Sequence, residues 1–113
     1  MRVPLILAGL LAAIACALPA TSRAATTCHP PKYPGSGYFL GLTVKGTSCA
    51  TGRRLALAYY HCRLRHGVRG RCPGGVMGYT CSEHRVSIPT EIDARVTCHR
   101  GTRRIVHQYQ QNT

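Results

Sequence analysis

The segment Tyr59–Gly75, YYHCRLRHGVRGRCPGG, concentrates residue types that do chemistry: two cysteines, two histidines and four arginines in seventeen positions. Cys62 and His66 are four residues apart, on one side of a helix, and Cys72 follows six residues later. Zinc accepts cysteine and histidine ligands at such spacing. The chain has no paired C-x-x-C motif, however, and a disulfide between Cys62 and Cys72 would use the same residues. The redox compartment in which the chain folds decides between the two.

The N-terminus predicts export. MRVPLILAGLLAAIACALPATSRA carries a positive charge at Arg2, then an apolar run, then Ser22 and Ala24 at −3 and −1 of a cleavage site. This is the pattern of a secretory signal peptide. The apolar run, Val3–Leu18, is shorter than the ~20 residues that a membrane-spanning helix needs. A lipoprotein anchored through Cys16 is the alternative, because LAAIAC loosely fits a lipobox.

The remaining 89 residues keep six of the seven cysteines. An even number of cysteines in a short exported chain indicates three disulfides. Oxidised cysteines leave no thiolate, so we predict no metal site, no cofactor and no catalytic residue of the cysteine type. Short-range pairing favours a bond between Cys62 and Cys72. The sequence leaves the other connections open, and among them we favour Cys49–Cys81 and Cys28–Cys98.

The chain is strongly basic. It has 15 Lys and Arg against three acids, and without Arg2 and Arg23 the formal net charge falls from +12 to +10. Such a surface attracts anions over a Debye length, although a GC-rich coding bias would also enrich arginine. The expected partners are an anionic cell-wall polymer, an anionic lipid or an acidic protein. The chain has no RRM, OB or helix-turn-helix signature, so specific nucleic-acid binding is not expected. The candidate anion-binding residues are Arg54, Arg65, Arg69, Arg71, Arg103 and Arg104.

Two further functions have some support in the residues. A small secreted ribonuclease could use Glu83-His84-Arg85 with His107 or His61 as a second proton carrier. Adjacent residues of a strand point to opposite faces, so Glu83 and His84 would not share a pocket if this stretch is extended. An antimicrobial or toxin-like protein could use an apolar helix stripe beside two arginines. That stripe comprises Leu57, Tyr60 and Leu64, beside Arg54 and Arg65.

The hydrophobic patterns predict one helix and several strands. Ser48 is a suitable N-cap for a helix from Cys49 to about His66, and Gly67 is placed to end it. We expect its inward face to comprise Gly52, Leu55, Tyr59, Cys62 and His66. The predicted strands are Tyr38–Val44, Val76–Ser82, Ala94–His99 and Thr102–Tyr109, with Glu83–Ile92 as a connection or edge and Arg100-Gly101 as a tight turn.

These elements predict an α+β fold, in which one helix packs on a small antiparallel sheet of three to four strands and disulfides stabilise the whole. The predicted organisation is a signal peptide over 1–24, an irregular N-terminal arm over 25–37 and the domain over 38–113.

Four motifs in order, VKGTSCA, YYHCR, GYTCSEHR and DARVTCHRG, cover about Tyr38–Tyr109. In them the chain resembles a group of small secreted cysteine-rich proteins of high-GC Gram-positive bacteria that has no assigned activity. The resemblance implies secretion and an α+β fold, and it transfers no functional residue. The sequence therefore favours a secreted, cationic, non-enzymatic interaction module of the extracellular space or cell envelope.

Overall fold

The structure is a computed structural model that describes residues 2, 4, 9–10, 12–14 and 24–113. Most of the predicted signal peptide, including Cys16 and Ser22, lies outside these residues. Within them, no helix is both long and apolar enough to cross a membrane. The elements are β1 (Thr26–Thr27), β2 (Gly37–Lys45), α1 (Cys49–Leu64), β3 (Thr80–Ile88), β4 (Glu91–Arg100) and β5 (Arg103–Asn112).

The five strands form one antiparallel sheet in the order β1-β2-β5-β4-β3. The α+β class and the disulfides are confirmed, but the predicted count of three to four strands was wrong. The additional strand, β1, lies in the arm that we predicted to be irregular, where Thr26 and Thr27 pair with Val44 and Thr43. A two-residue strand leaves no alternating pattern in the sequence, so it could not be detected there.

The helix starts where the sequence predicts. Ser48 has an extended backbone, and its hydroxyl accepts a hydrogen bond from the Thr51 backbone N–H at 3.1 Å. The helix ends at Leu64, and two tight turns carry the chain to Gly67 at a φ of +92°. His66 is exposed, so its predicted inward position was wrong, because the helix stops before it.

The helix covers one face of the sheet, here called the inner face. Its buried side chains pack on alternating residues of β2, β4 and β5, which form the core. In β4, for example, Ile92, Ala94, Val96 and Cys98 are buried. Over the opposite face of the sheet, here called the outer face, the described residues place no helix.

The disulfides are Cys28–Cys49, Cys62–Cys72 and Cys81–Cys98. The Cys62–Cys72 prediction is confirmed, and the pairs Cys49–Cys81 and Cys28–Cys98 were wrong. The error came from treating Glu83–Ile92 as a connection. This stretch instead contains a tight β3–β4 hairpin turn between Ile88 and Glu91. Cys81 lies seven residues before Ile88, and Cys98 lies seven residues after Glu91. The two cysteines therefore face each other directly and form a disulfide. Cys28 is bonded instead to Cys49 at the start of the helix.

The turn of the last hairpin also differs from the prediction. It lies at Gly101-Thr102, so Cys98 faces Ile105 and Val96 faces His107. The predicted turn at Arg100-Gly101 had paired Val96 with Ile105. The residues of this hairpin predicted to point inward still point inward, because the observed pairing of β4 with β5 differs from the predicted one by two residues, an even number.

Gly52 allows the close approach of α1 to β2. A Cβ at this position would lie 2.6 Å from Cγ1 of Val44, a stiff β-branched side chain. In contrast, a Cβ at Gly41, in the middle of β2, would meet nothing within 4 Å.

We therefore expect Gly52→Ala to lower the free energy of unfolding by about 1–2 kcal/mol. Alanine stabilises a helix by about 1 kcal/mol relative to glycine, but the clash of its Cβ with Val44 costs more than this gain. Gly41→Ala is the control and should stay within about 0.5 kcal/mol of wild type or exceed it. Urea unfolding of both variants measures this. A Gly52→Ala protein as stable as wild type would contradict the tight contact.

Candidate anion-binding site

Several of the residues that the sequence marks as functional lie between the helix and the inner face. Arg63, on the buried side of α1, is 1% exposed. Its Nη2 donates to Tyr33 Oη at 3.1 Å and to Gln111 Oε1 at 3.0 Å, and its Cζ lies 4.0 Å from the centroid of the Tyr109 ring. This guanidinium ties the arm to the helix and to β5, and the aromatic face stabilises its charge. Arg63 therefore serves the core and is not available to a ligand.

Glu83 is the buried carboxylate of the inner face, with a side chain 4% exposed. Its Oε1 accepts from the Tyr109 hydroxyl at 2.6 Å and the Tyr59 hydroxyl at 3.4 Å. Its Oε2 accepts from Arg85 Nε at 2.7 Å and from Arg71 Nη1 at 3.3 Å. Burial raises the pKa of Tyr59 to about 12, with Glu83 adding to the effect, and burial also raises the pKa of Tyr109. Both tyrosines thus remain protonated hydrogen-bond donors at neutral pH.

The two cations on Glu83 differ in burial, and this difference predicts different contributions. Arg85 is 6% exposed and also donates to the carbonyl oxygens of Arg69 and Gly70, whereas Arg71 is 59% exposed. We expect Glu83→Gln to cost about 3–5 kcal/mol of stability because it leaves the buried Arg85 without its counterion. Arg71→Gln should cost less than about 1 kcal/mol because it removes only an exposed pair. Equal losses in chemical unfolding would contradict this assignment.

His107, on β5, is 1% exposed and lies among the rings of Phe39, Tyr59 and Tyr109. Neither of its ring nitrogens has a hydrogen-bond partner in the described part of the chain. Burial, together with the nearby positive charge of Arg63, lowers the pKa of His107 to about 3. The imidazole is therefore held neutral by the fold.

A depressed histidine pKa makes stability depend on pH. The unfolded chain takes up a proton at His107 below about pH 6.5, and the folded protein does not do so until about pH 3. The stability that the fold derives from holding His107 neutral is therefore fully present above pH 6.5. It is lost as the pH falls towards 3, by up to about 1.4 kcal/mol per pH unit. Replacing the ring with an apolar one, in His107→Phe, should flatten the slope between pH 6.5 and 4.5, as measured by urea unfolding. Identical slopes in the two proteins would show that His107 is not buried as a neutral group.

The structure separates the residues of the ribonuclease alternative. Glu83 lies on the inner face and His84 is exposed on the outer face, as strand alternation predicted. His107 is buried on the inner face, and His61 is exposed on the helix. The described residues do not bring these groups into one pocket.

The apolar helix stripe is not a free surface either. Tyr60 is buried, with its ring 5.0 Å from that of Tyr33 in the arm. Leu57 is half-buried, and Leu64 is the exposed member.

The six candidate arginines do not form one site. Arg69 donates to the carbonyl oxygens of Ile88 and Pro89 and, at 2.9 Å, to the Thr113 hydroxyl, and Arg71 pairs with Glu83. Arg54 donates to Thr51 on its own helix, and Arg65 is exposed at the helix end. Arg103 and Arg104 are exposed at the start of β5.

The outer face brings together a different set of cations. The register aligns Lys45, Arg104 and His99 in one cross-strand row, and Gly41, Gln108, Arg95 and His84 in another. Lys45, Arg95 and Arg104 line a depression of about 200 Å³ whose floor includes Thr43 and Val106. No hydrogen bond or ion pair between described residues uses these three cations. They are thus charged groups that the fold itself does not employ.

Arg95 is central to this face. It also lines a second depression with Gly41 and Gln108, and a third of about 210 Å³ with Leu40 and Val86. In the alternating stretch ARVTCH, Arg95 and its neighbour Val96 point to opposite faces of the sheet. Because Val96 is buried, the sequence pattern itself indicates that Arg95 points outward. The sequence does not show that Lys45, at the end of β2, belongs to the same site, because its position beside Arg104 depends on how three strands align.

Two adjacent cations and a central arginine, in a depression that Thr43 also lines, can hold a phosphate, sulfate or carboxylate group. No three His, Cys, Asp or Glu side chains of residues 24–113 are grouped as metal ligands. The chain matches no family model, no curated protein and no solved structure.

Proposed function

We propose that this protein is a secreted, non-enzymatic binding module that holds an anionic polymer of the cell envelope on the outer face of its sheet. The observation that carries the proposal is the group of three cations, Lys45, Arg95 and Arg104, around one depression, where no described residue forms an ion pair with them. Secretion rests on the predicted signal peptide and on the three disulfides, which suit an oxidising compartment.

The arrangement of the cations supports a binding role over a purely solubilising one. Lys45 and Arg104 are direct cross-strand neighbours, and like charges in this position destabilise a sheet. Solvated charges that serve only solubility do not need to adjoin each other. A bound anion between them would relieve the repulsion.

A polymer fits better than a small anion. The outer face is shallow, and its depressions continue into one another through Arg95. A shallow basic surface gives a small ion little burial, but it can make several weak contacts along a chain.

The test compares two double variants of equal net charge. Arg95→Gln/Arg104→Gln removes cations from the outer face, and Arg54→Gln/Arg65→Gln removes cations from the helix. We expect the oxidised protein to be retained on immobilised polyphosphate at low salt. The outer-face variant should elute at lower salt than the helix variant, and its salt-dependence slope should fall by about one for each cation removed.

The helix variant also tests whether net charge alone controls retention. Identical elution of the two double variants would contradict an outer-face site, and no retention of the wild type at low salt would remove the function altogether. Thermal unfolding of the outer-face variant should occur at the wild-type temperature or slightly above it, because neither arginine side chain bonds to another described residue and Arg104→Gln removes its repulsion with Lys45.

A further inference from the structure

The outer face carries more than cations. Next to the three-cation depression lies the groove of about 210 Å³, bounded by the exposed side chains of Leu40 and Val86. Its polar residues are His84, Asp93, Arg95 and Gln108. The groove therefore combines apolar walls with both hydrogen-bond donors and acceptors.

These polar groups are also unused by the fold. Among the described residues, no side-chain hydrogen bond involves His84, Asp93 or Gln108, and Asp93 takes part in no ion pair. Gln110 faces Asp93 across the β4–β5 pair, beside Tyr38 of β2, and it too has no side-chain partner. An exposed aromatic ring, one amide and a carboxylate thus lie in one cross-strand row.

Asp93 restricts the kind of anion that can bind here. It lies two residues from Arg95 on the same face of β4, a separation of about 7 Å along the strand. A polymer with a negative charge on every unit, or the surface of an anionic bilayer, would bring an anion against this carboxylate. A polymer in which charged and neutral hydroxyl-bearing units alternate would place a hydroxyl donor there instead.

We propose that the ligand is an acidic polysaccharide in which charged and neutral sugar units alternate. Its anionic group lies against Lys45, Arg95 and Arg104. Its neutral unit lies in the groove, where hydroxyls donate to Asp93 and accept from Gln108, and the apolar face of the sugar ring contacts Leu40 and Val86. This assignment rests on the proposed function and names the class of polymer.

Gly41 joins the two parts of this site. It is the cross-strand neighbour of Gln108 and lines the depression between the cations and the groove, and a Cβ there would enter open space. A larger side chain at position 41 would therefore obstruct the passage without a clash inside the protein.

The decisive variant is Asp93→Asn, because two explanations predict opposite results for it. It raises the net charge of the protein, so simple electrostatic attraction predicts tighter binding to every polyanion. Our proposal predicts that binding of a hyaluronan octasaccharide, which alternates charged and neutral sugars, weakens about 10-fold, because a hydroxyl donates more weakly to an amide oxygen than to a carboxylate. Binding of polyphosphate should instead tighten. Isothermal titration calorimetry at fixed salt measures both.

Glu91→Gln is the matched control, since it makes the same charge change on β4 outside the groove. It should leave hyaluronan binding unchanged or slightly tighter. Gly41→Val should weaken hyaluronan binding about 10-fold or more, because it separates the anion site from the groove. It should weaken polyphosphate binding by a smaller factor, because polyphosphate has no neutral unit to place in the groove.

The outcomes separate the two proposals. If Asp93→Asn tightens binding to hyaluronan and to polyphosphate alike, the alternating glycan is overturned, while the anion site stands as long as Arg95→Gln/Arg104→Gln weakens polyphosphate binding. If the wild type binds phosphatidylglycerol vesicles and neither polymer, the occupant is a membrane and the glycan is overturned. If no polyanion or vesicle binds, both proposals fail.

Discussion

One helix of sixteen residues covers the inner face of the sheet, and disulfides fix it near both ends. Cys49, its first residue, is bonded to the arm, and Cys62, in its last turn, is bonded to the following loop. Gly52 lets the helix approach β2 closely between these points. The remaining disulfide, Cys81–Cys98, cross-links β3 to β4. A short chain that buries limited apolar area depends on such cross-links, because they reduce the entropy of the unfolded state.

The same arrangement divides the arginines into two groups. Arg63 and Arg85 are buried on the inner face, where rings, amides, carbonyl oxygens and Glu83 surround their charges. Arg95 and Arg104 are exposed on the outer face, and neither side chain bonds to another residue of the described part of the chain. A count of basic residues treats all of them as one surface charge. The structure shows instead that part of the positive charge belongs to the architecture, and the rest is available to a ligand.

Much of the fold can be read from local patterns. The N-cap at Ser48, the alternation of β4 and the short Cys62–Cys72 loop each depend on residues close in sequence, and they were predicted correctly. The other disulfides depend on where β3 turns into β4, and we had predicted the stretch that contains this turn, Glu83–Ile92, to be a connection or edge. The burial of Arg63 depends on Tyr33 and Gln111, which are 30 and 48 residues away. Long-range contacts of this kind leave no periodic signal.

The candidate site was missed for a related reason. Arg104 was among the predicted residues and Arg95 was not, and the proposed site also needs Lys45 from the other end of the domain. Only the order β2-β5-β4 brings the three together. Because this site lies on the face that the helix does not cover, its side chains contribute little to the core. The proposed binding site and the packed core therefore lie on opposite faces of one sheet, so we expect that outer-face residues can change without loss of the fold.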